Sequence, residues 1–296
     1  MNDPIEVIVL QVGLAIAGGG VPGFTAIGVI EALEEEKITI SHIAGTSAGA
    51  IVASLYAYGY PVGKLKELVS KVNWRFMDID WKAILAKALF LRPNLEGALK
   101  GETIRGLLAE LTHGASLSSL KIPCGIVAND IRMGEPIVFS NHELSEFKTE
   151  REISISDAVR ASSSVPGLYR PIRWKDYVLI DGGILMNCPV RVARNLGAER
   201  VISIDPITVL RQNGASFDTG SSIMYGIFSL MLREQMANEH QHADLTLFPQ
   251  IGPVAPFDFS KIEHCIHVGY EDTTQRMNEI KRTLVRSDAE SVRKGE

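Results

Sequence analysis

Cysteine is scarce in this chain. Cys124, Cys188 and Cys265 are the three among 296 residues, odd in number and far apart. That excludes a disulfide framework and a cysteine zinc site, and it suits a reducing compartment such as the cytoplasm. Positive charge is not concentrated anywhere. The 30 basic residues are scattered among 35 acidic ones for a net charge of −5, which gives neither a nucleic-acid footprint nor a polybasic membrane anchor. The opening Met1-Asn2-Asp3-Pro4-Ile5-Glu6 is acidic where a secretory signal would be basic. Uncharged stretches occur over 7–30 and 38–63, but each is broken by glycines and a proline and mixes strand-like with helix-like pattern. They read as buried core rather than membrane spans, with contact at a membrane surface left open. Repeats, low-complexity tracts and convincing linkers are lacking too. The expectation is therefore one domain over residues 1–286, followed by a frayed tail over 287–296.

What is present is a strand, glycine turn, helix order that occurs twice. Val7–Leu10 and Val12–Ala17 are apolar and β-rich, as a buried parallel strand would be, and run into Gly18-Gly19-Gly20-Val21-Pro22-Gly23 and then a helical pattern over 24–36. Residues 38–43 approach Gly45-Thr46-Ser47-Ala48-Gly49, followed by a helix-compatible run over 50–58 that Gly59 and Pro61 stop. Two such units in sixty residues predict right-handed parallel crossovers. From 62 to about 114 the composition turns helical, with Trp74, Phe76, Met77, Trp81, Phe90 and Leu91, and shows no strand pattern. That excursion either caps or lines an apolar site or supplies ordinary core helices. Strands are predicted over 122–130 and 136–139 as a hairpin, which makes the sheet mixed, and again over 177–180, 201–206 and 243–249. A helix from 156 must end by Val165 because Pro166 follows. Residues 207–222 read as a loop, 228–242 as a helix, and 261–286 as a final amphipathic helix broken near Gly269.

Three features fall at the ends of predicted strands: the glycine run at 18–20, Ser47, and Asp181 before Gly182 and Gly183. In an open α/β sheet such ends share a crevice. A serine between glycines at a strand-to-helix bend is placed as a nucleophile, and it needs a base. None of the seven histidines stands at a strand tip in a glycine-flanked setting; His42, five residues before Ser47, is the nearest. Asp181 is the better candidate, acting on Ser47 as a two-residue unit. Consecutive amides of Gly18, Gly19, Gly20 and Val21 at a helix N-terminus would receive a developing oxyanion. The alternatives are a phosphate in that array, or a dinucleotide site from the Gly18-x-Gly20-x-x-Gly23 spacing, which would leave Ser47 and Asp181 unexplained.

Taken together, these residues resemble the patatin-like phospholipases, and in particular their compact bacterial members. The glycine run, Gly45-Thr46-Ser47-Ala48-Gly49 and Asp181-Gly182-Gly183 match three family motifs in order. A fourth, Ala-Ser followed by proline, stands as Ala161-Ser162-Ser163-Ser164-Val165-Pro166, and the likeness runs from Gly18 to the final helix. The resemblance implies a three-layer α/β/α fold around a mostly parallel, mixed sheet. It also implies hydrolysis of lipid acyl esters by a Ser47–Asp181 dyad without histidine, through an acyl-serine, with no metal and no organic cofactor. Ser162, Pro166, Gly182 and Gly183 would support the site, and the substrate would be a phospholipid or another acyl ester. A lipid-binding protein with little hydrolysis and an acyltransferase using the same dyad are the other readings. Pro22 stands where the family usually has Arg or Lys, and Asn129 where it often has Thr.

Overall fold

The computed structural model describes residues 10–82, 85, 97–206 and 218–285. In chain order, β1 (Val12–Ile16) leads through a short 3-10 turn, Val21–Phe24, into α1 (Thr25–Glu35); β2 (Ile40–Thr46) leads directly into α2 (Ala48–Tyr58). Then come α3 (Val62–Ser70), β3 (Gly97–Leu99), α4 (Glu102–Leu111), β4 (Cys124–Asp130), β5 (Glu135–Ser140) and β6 (Lys148–Glu150). The second half comprises α5 (Ile155–Ser162), β7 (Gly167–Tyr169), β8 (Ile172–Trp174), β9 (Tyr177–Asp181), α6 (Val190–Asn195), β10 (Arg200–Ile204), α7 (Gly220–His240), β11 (Leu245–Leu247), α8 (Ile262–Gln275) and α9 (Met277–Leu284).

The main sheet runs β11-β10-β1-β2-β4-β5-β6, with β9 on β4 and β8 on β9. Its centre is parallel: β11, β10, β1, β2 and β4 share one direction, while β5 and β9 are antiparallel to β4. Helices cover both faces, because alternate residues of the central strands are apolar on both sides. Leu14 and Ile16 pack with α1, α2 and α8 in the larger core, whereas Ala15 and Ala17 pack with α6 and Met236 of α7 in the smaller one. The mostly parallel, mixed sheet is thus the one the strand patterning predicts, and the three-layer α/β/α architecture the one the resemblance implies. No helix among the described residues is long and apolar enough to cross a membrane.

Several expectations need correction. Residues 62–114 are not purely helical: Gly97–Leu99 is a strand paired in parallel with β7. Three residues carry too little period-2 signal to be read in advance, and the pairing is set by distant Tyr169. The final helix is not broken near Gly269. A Cβ there would stand 2.2 Å from the Thr25 carbonyl oxygen, and one on Gly28 would stand 1.9 Å from that of Ile266, so these glycines let α1 and α8 touch backbone to backbone. The interruption falls at Arg276, between α8 and α9. The loop assigned to 207–222 gives way to α7 from Gly220, its part over 207–217 lying outside the described residues. Residues 7–9 of the first predicted strand, Phe90, Leu91 and the tail 287–296 lie outside them as well.

Candidate active site

The register of β4 explains how two residues far apart in sequence meet. Thr46, the last residue of β2, is paired with Val127, and the next residue of β4, Ala128, is paired with Asp181. At Ser47 the chain leaves the sheet for α2. The slot beside β4 that β2 gives up is then taken by β9, arriving from the opposite direction. The two strands meet end to end, with Ser47 at one tip and Asp181 at the other. The crevice expected at a shared carboxyl edge is therefore only part of the explanation, since β9 is antiparallel and Asp181 reaches the site head-on.

Ser47 sits at φ 54 and ψ −121, a left-handed backbone that costs a non-glycine residue about 1–3 kcal/mol. The surroundings enforce it. Ser47 N–H donates to Ser162 Oγ at 2.8 Å, and that hydroxyl donates to Val127 O at 2.6 Å, so α5 locks the bend to the sheet. Thr46 Oγ1 donates to Met186 O at 2.9 Å. Gly45 and Gly49 face each other across the bend, where a Cβ on Gly45 would stand 2.4 Å from the Gly49 carbonyl oxygen. Among the sequence-selected residues, Gly19, Gly20, Val21, Ala48, Pro166 and Gly183 line the adjoining cavity with Ser47 and Asp181.

Asp181 is buried. Its Oδ1 accepts from Gly183 N–H at 2.7 Å, while Oδ2 forms no hydrogen bond. Burial raises its pKa to about 6, against the smaller lowering effects of the Gly183 amide and the nearby Ser47 hydroxyl. The Ser47 hydroxyl is thus one of the two groups that hold the carboxyl's pKa below what burial alone would give. None of the seven histidines lines the cavity. His42 pairs with its neighbour Ser41 Oγ instead, at 2.9 Å.

The glycine run is narrower as a donor array than its sequence suggests. Gly18 N–H is spent on Asn187 O at 3.2 Å and Val21 N–H on Pro256 O at 2.8 Å. The amides of Gly19 and Gly20 donate to no acceptor among the described residues, and both residues line the cavity. Gly20, at φ 71, also has the Pro256 carbonyl oxygen only 2.2 Å from where a Cβ would stand, so no side chain is admitted there. Pro22 falls within the 3-10 turn, where its lack of an N–H is harmless. The cavity holds about 670 Å³ and is walled by apolar side chains, among them Leu55, Val69, Phe76, Leu107, Leu111 and Phe257. The excursion over 62–114 thus supplies much of the wall, while Trp74 and Trp81 stay exposed. No lysine or arginine lines the cavity among the described residues.

Sequence reasoning passed over three residues that hold this arrangement and named a fourth, Asn129, without a consequence. Asn129 Nδ2 donates to Asp181 O at 2.7 Å and to Gly182 O at 3.0 Å, which gives its presence at this position a consequence. Gln235 and Asn187 brace the turn after Asp181 from α7 and from the approach to α6. Arg160 is fully buried, donating to Ser164 Oγ at 2.6 Å, Lys100 O at 2.6 Å and Arg170 O at 3.0 Å, and burial pushes its pKa down. It fastens α5 to the β3–α4 junction behind the cavity. A polar pair, Asn129-Asp130, closing an otherwise apolar strand was the one available signal.

Comparison with known proteins bears on the family and the fold. An uncharacterised Bacillus subtilis protein, YqhO, is 30% identical over 189 residues, covering 59% of this chain and 64% of its own. An uncharacterised NTE family protein of Mycobacterium bovis, Mb1092c, is 30% identical over 199 residues, covering 66% of this chain and 48% of its own. The chain thus spans about half to two thirds of these relatives' lengths. Human GIVD cytosolic phospholipase A2 shares the fold at a TM-score of 0.52 and 13% identity, over 96% of this chain and 61% of that one. Residues 14–194, from the first strand through the Ser47 bend and Asp181 to α6, match the model of the patatin-like phospholipases, and the chain belongs to that family.

Proposed function

We propose that this protein is a serine acyl-ester hydrolase acting on phospholipids or related acyl esters, with Ser47 and Asp181 as a catalytic dyad. The observation that carries the reading is the end-to-end meeting of β2 and β9, which brings a strained serine and a buried carboxylate with one unbonded oxygen together in the lining of an apolar cavity. The ester's acyl chain enters the cavity and its carbonyl carbon meets Ser47 Oγ. As Oγ attacks, its proton passes to Asp181, and the charge gathering on the carbonyl oxygen faces the amides of Gly19 and Gly20. Asp181 returns the proton to the departing alcohol, leaving an acyl-serine. Water then gives Asp181 a proton as it attacks the acyl carbon, and Asp181 passes that proton to Ser47 Oγ as the acyl–serine bond breaks and the acid leaves. The pKa near 6 suits this exchange, since the group is largely ionised at neutral pH yet basic enough to hold a proton in passing.

No step requires a metal or an organic cofactor. The three cysteines are unpaired and buried, in keeping with work in the cytoplasm or at the cytoplasmic face of a membrane. Turnover of chromogenic acyl esters and of phospholipid vesicles by the wild-type chain and by Ser47→Ala tests the reading. Loss of turnover in the variant is expected, and equal turnover by both would overturn it.

A further inference from the structure

The turn that follows Asp181 has few internal bonds. Beyond the single 3-10 turn Gly182–Ile184, it is tied down by side chains from three other elements: Asn129 of β4 at Gly182 O, Thr46 of β2 at Met186 O, and Gln235 of α7, which alone holds two of its backbone groups at once. Gln235 of α7 accepts at Oε1 from Asn187 N–H, 2.9 Å, and donates from Nε2 to Gly183 O, 2.7 Å. Each group it grips also touches the dyad's surroundings. Gly183 N–H donates to Asp181 Oδ1, and Asn187 O accepts from Gly18 N–H at the start of the glycine run. The Asn187 carboxamide fills the space between. A Cβ on Gly18 would stand 2.8 Å from Asn187 Oδ1 and 2.9 Å from Ser47 Cβ; one on Gly183 would stand 2.8 Å from the same oxygen and 2.9 Å from Asp181 Oδ1. Its Nδ2 is turned to Met236 Sδ at 3.3 Å, the residue after Gln235.

We propose that Gln235 is a positioning residue, the carboxamide through which α7 sets the spacing between the base loop and the glycine run. The inference rests on the Ser47–Asp181 reading. A carboxamide offers an acceptor and a donor on one rigid plane, and here each end holds a different part of the turn. Replacing it by methionine keeps the volume and drops both bonds. Replacing it by glutamate keeps the acceptor for Asn187 N–H and sets an oxygen against Gly183 O, so that the base loop alone is released. Displacements of about 1 Å at a reacting pair cost about a hundredfold in rate.

The groups facing Asp181 make a pH profile readable. Its pKa is set by burial, Gly183 N–H and the Ser47 hydroxyl, and Tyr169 is the other ionisable side chain lining the cavity among the described residues. On α7, Glu239 is bound to Arg191 and His240 lies 3.5 Å from Asp205.

The experiment uses the full chain and a fluorophosphonate probe, whose rate of reaction with Ser47 is followed from pH 4.5 to 9 for wild type, Gln235→Met and Gln235→Glu, with Tm measured beside it. Gln235→Met is expected to lower the rate about 10- to 100-fold. The same variant is expected to move the acid limb upward by about half a pH unit or more, because the loosened Gly183 amide no longer steadies the carboxylate; Gln235→Glu, whose own charge would raise the limb by itself, is read by its rate above pH 7, expected to fall about tenfold. A merely structural Gln235 would lower Tm and leave the rate, and in Gln235→Met the limb, at wild-type values in the folded variants, which would overturn the proposal. Should Gln235→Met not fold, Gln235→Glu decides by its rate above pH 7. Failure of the dyad itself reads differently, as wild-type and Ser47→Ala chains that label alike.

Discussion

The two halves of the site are built in contrasting ways. Ser47 is held locally, by a five-residue motif between a parallel strand and its helix, with Ser162 and the Met186 carbonyl as its distant props. Asp181 is held remotely. Its amide donates to Ser164 O, its carbonyl accepts from Asn129, and its loop is braced by Gln235. A nucleophile needs one strained conformation, which a short motif can encode. A buried base needs its desolvation, distance and hydrogen-bond count set together, and those come from residues spread over three other elements.

Breaking the local half should have the largest effect. Ser47→Ala is expected to remove more than about 10³-fold of ester turnover while Tm stays the same or rises, the strain having served only the hydroxyl. Asp181→Asn should come close behind in activity but differ in stability. The folded pKa of about 6 lies above the ordinary 3.8. The proton it retains therefore favours the fold fully below about pH 3.8, and that contribution is lost as pH rises through 6. Above that, ionised Asp181 costs the fold about 3 kcal/mol. The Asn variant should thus melt several degrees higher than wild type at pH 8 and at nearly the same temperature at pH 4, as calorimetry would show.

Loosening the remote half should be milder. Asn129→Ala leaves the carbonyls of Asp181 and Gly182 without their donor, and is expected to cost about 1–3 kcal/mol of stability in denaturant titrations with a roughly tenfold fall in kcat. The smallest effect belongs to the cavity wall. Leu107→Trp narrows the space beside the site and should lower kcat/KM for long acyl esters about tenfold relative to short ones, as paired assays would reveal.

This contrast also governs what the sequence revealed. The parallel core, the Ser47 bend, the β4–β5 hairpin and the Asp181 turn were legible, because each is written in a short run of β-branched, glycine or turn residues. What escaped was set by partners distant in sequence. The strand Gly97–Leu99 exists because Tyr169 and its neighbours lie beside it. The antiparallel entry of β9 follows from the vacated edge of β4, and Gly18 and Val21 lose their amides to Asn187 and Pro256. Arg160 reads as an ordinary helical arginine until its surroundings close over it.

The central claim is that the buried Asp181 carboxylate takes the Ser47 proton. The rate at which a fluorophosphonate labels Ser47 across pH, in wild type and in Asp181→Asn, addresses it most directly. The account predicts a wild-type rate rising through a midpoint near pH 6 and a rate in the variant that is low and flat over that range. Labelling of the variant at the wild-type rate, with the same midpoint, would contradict it.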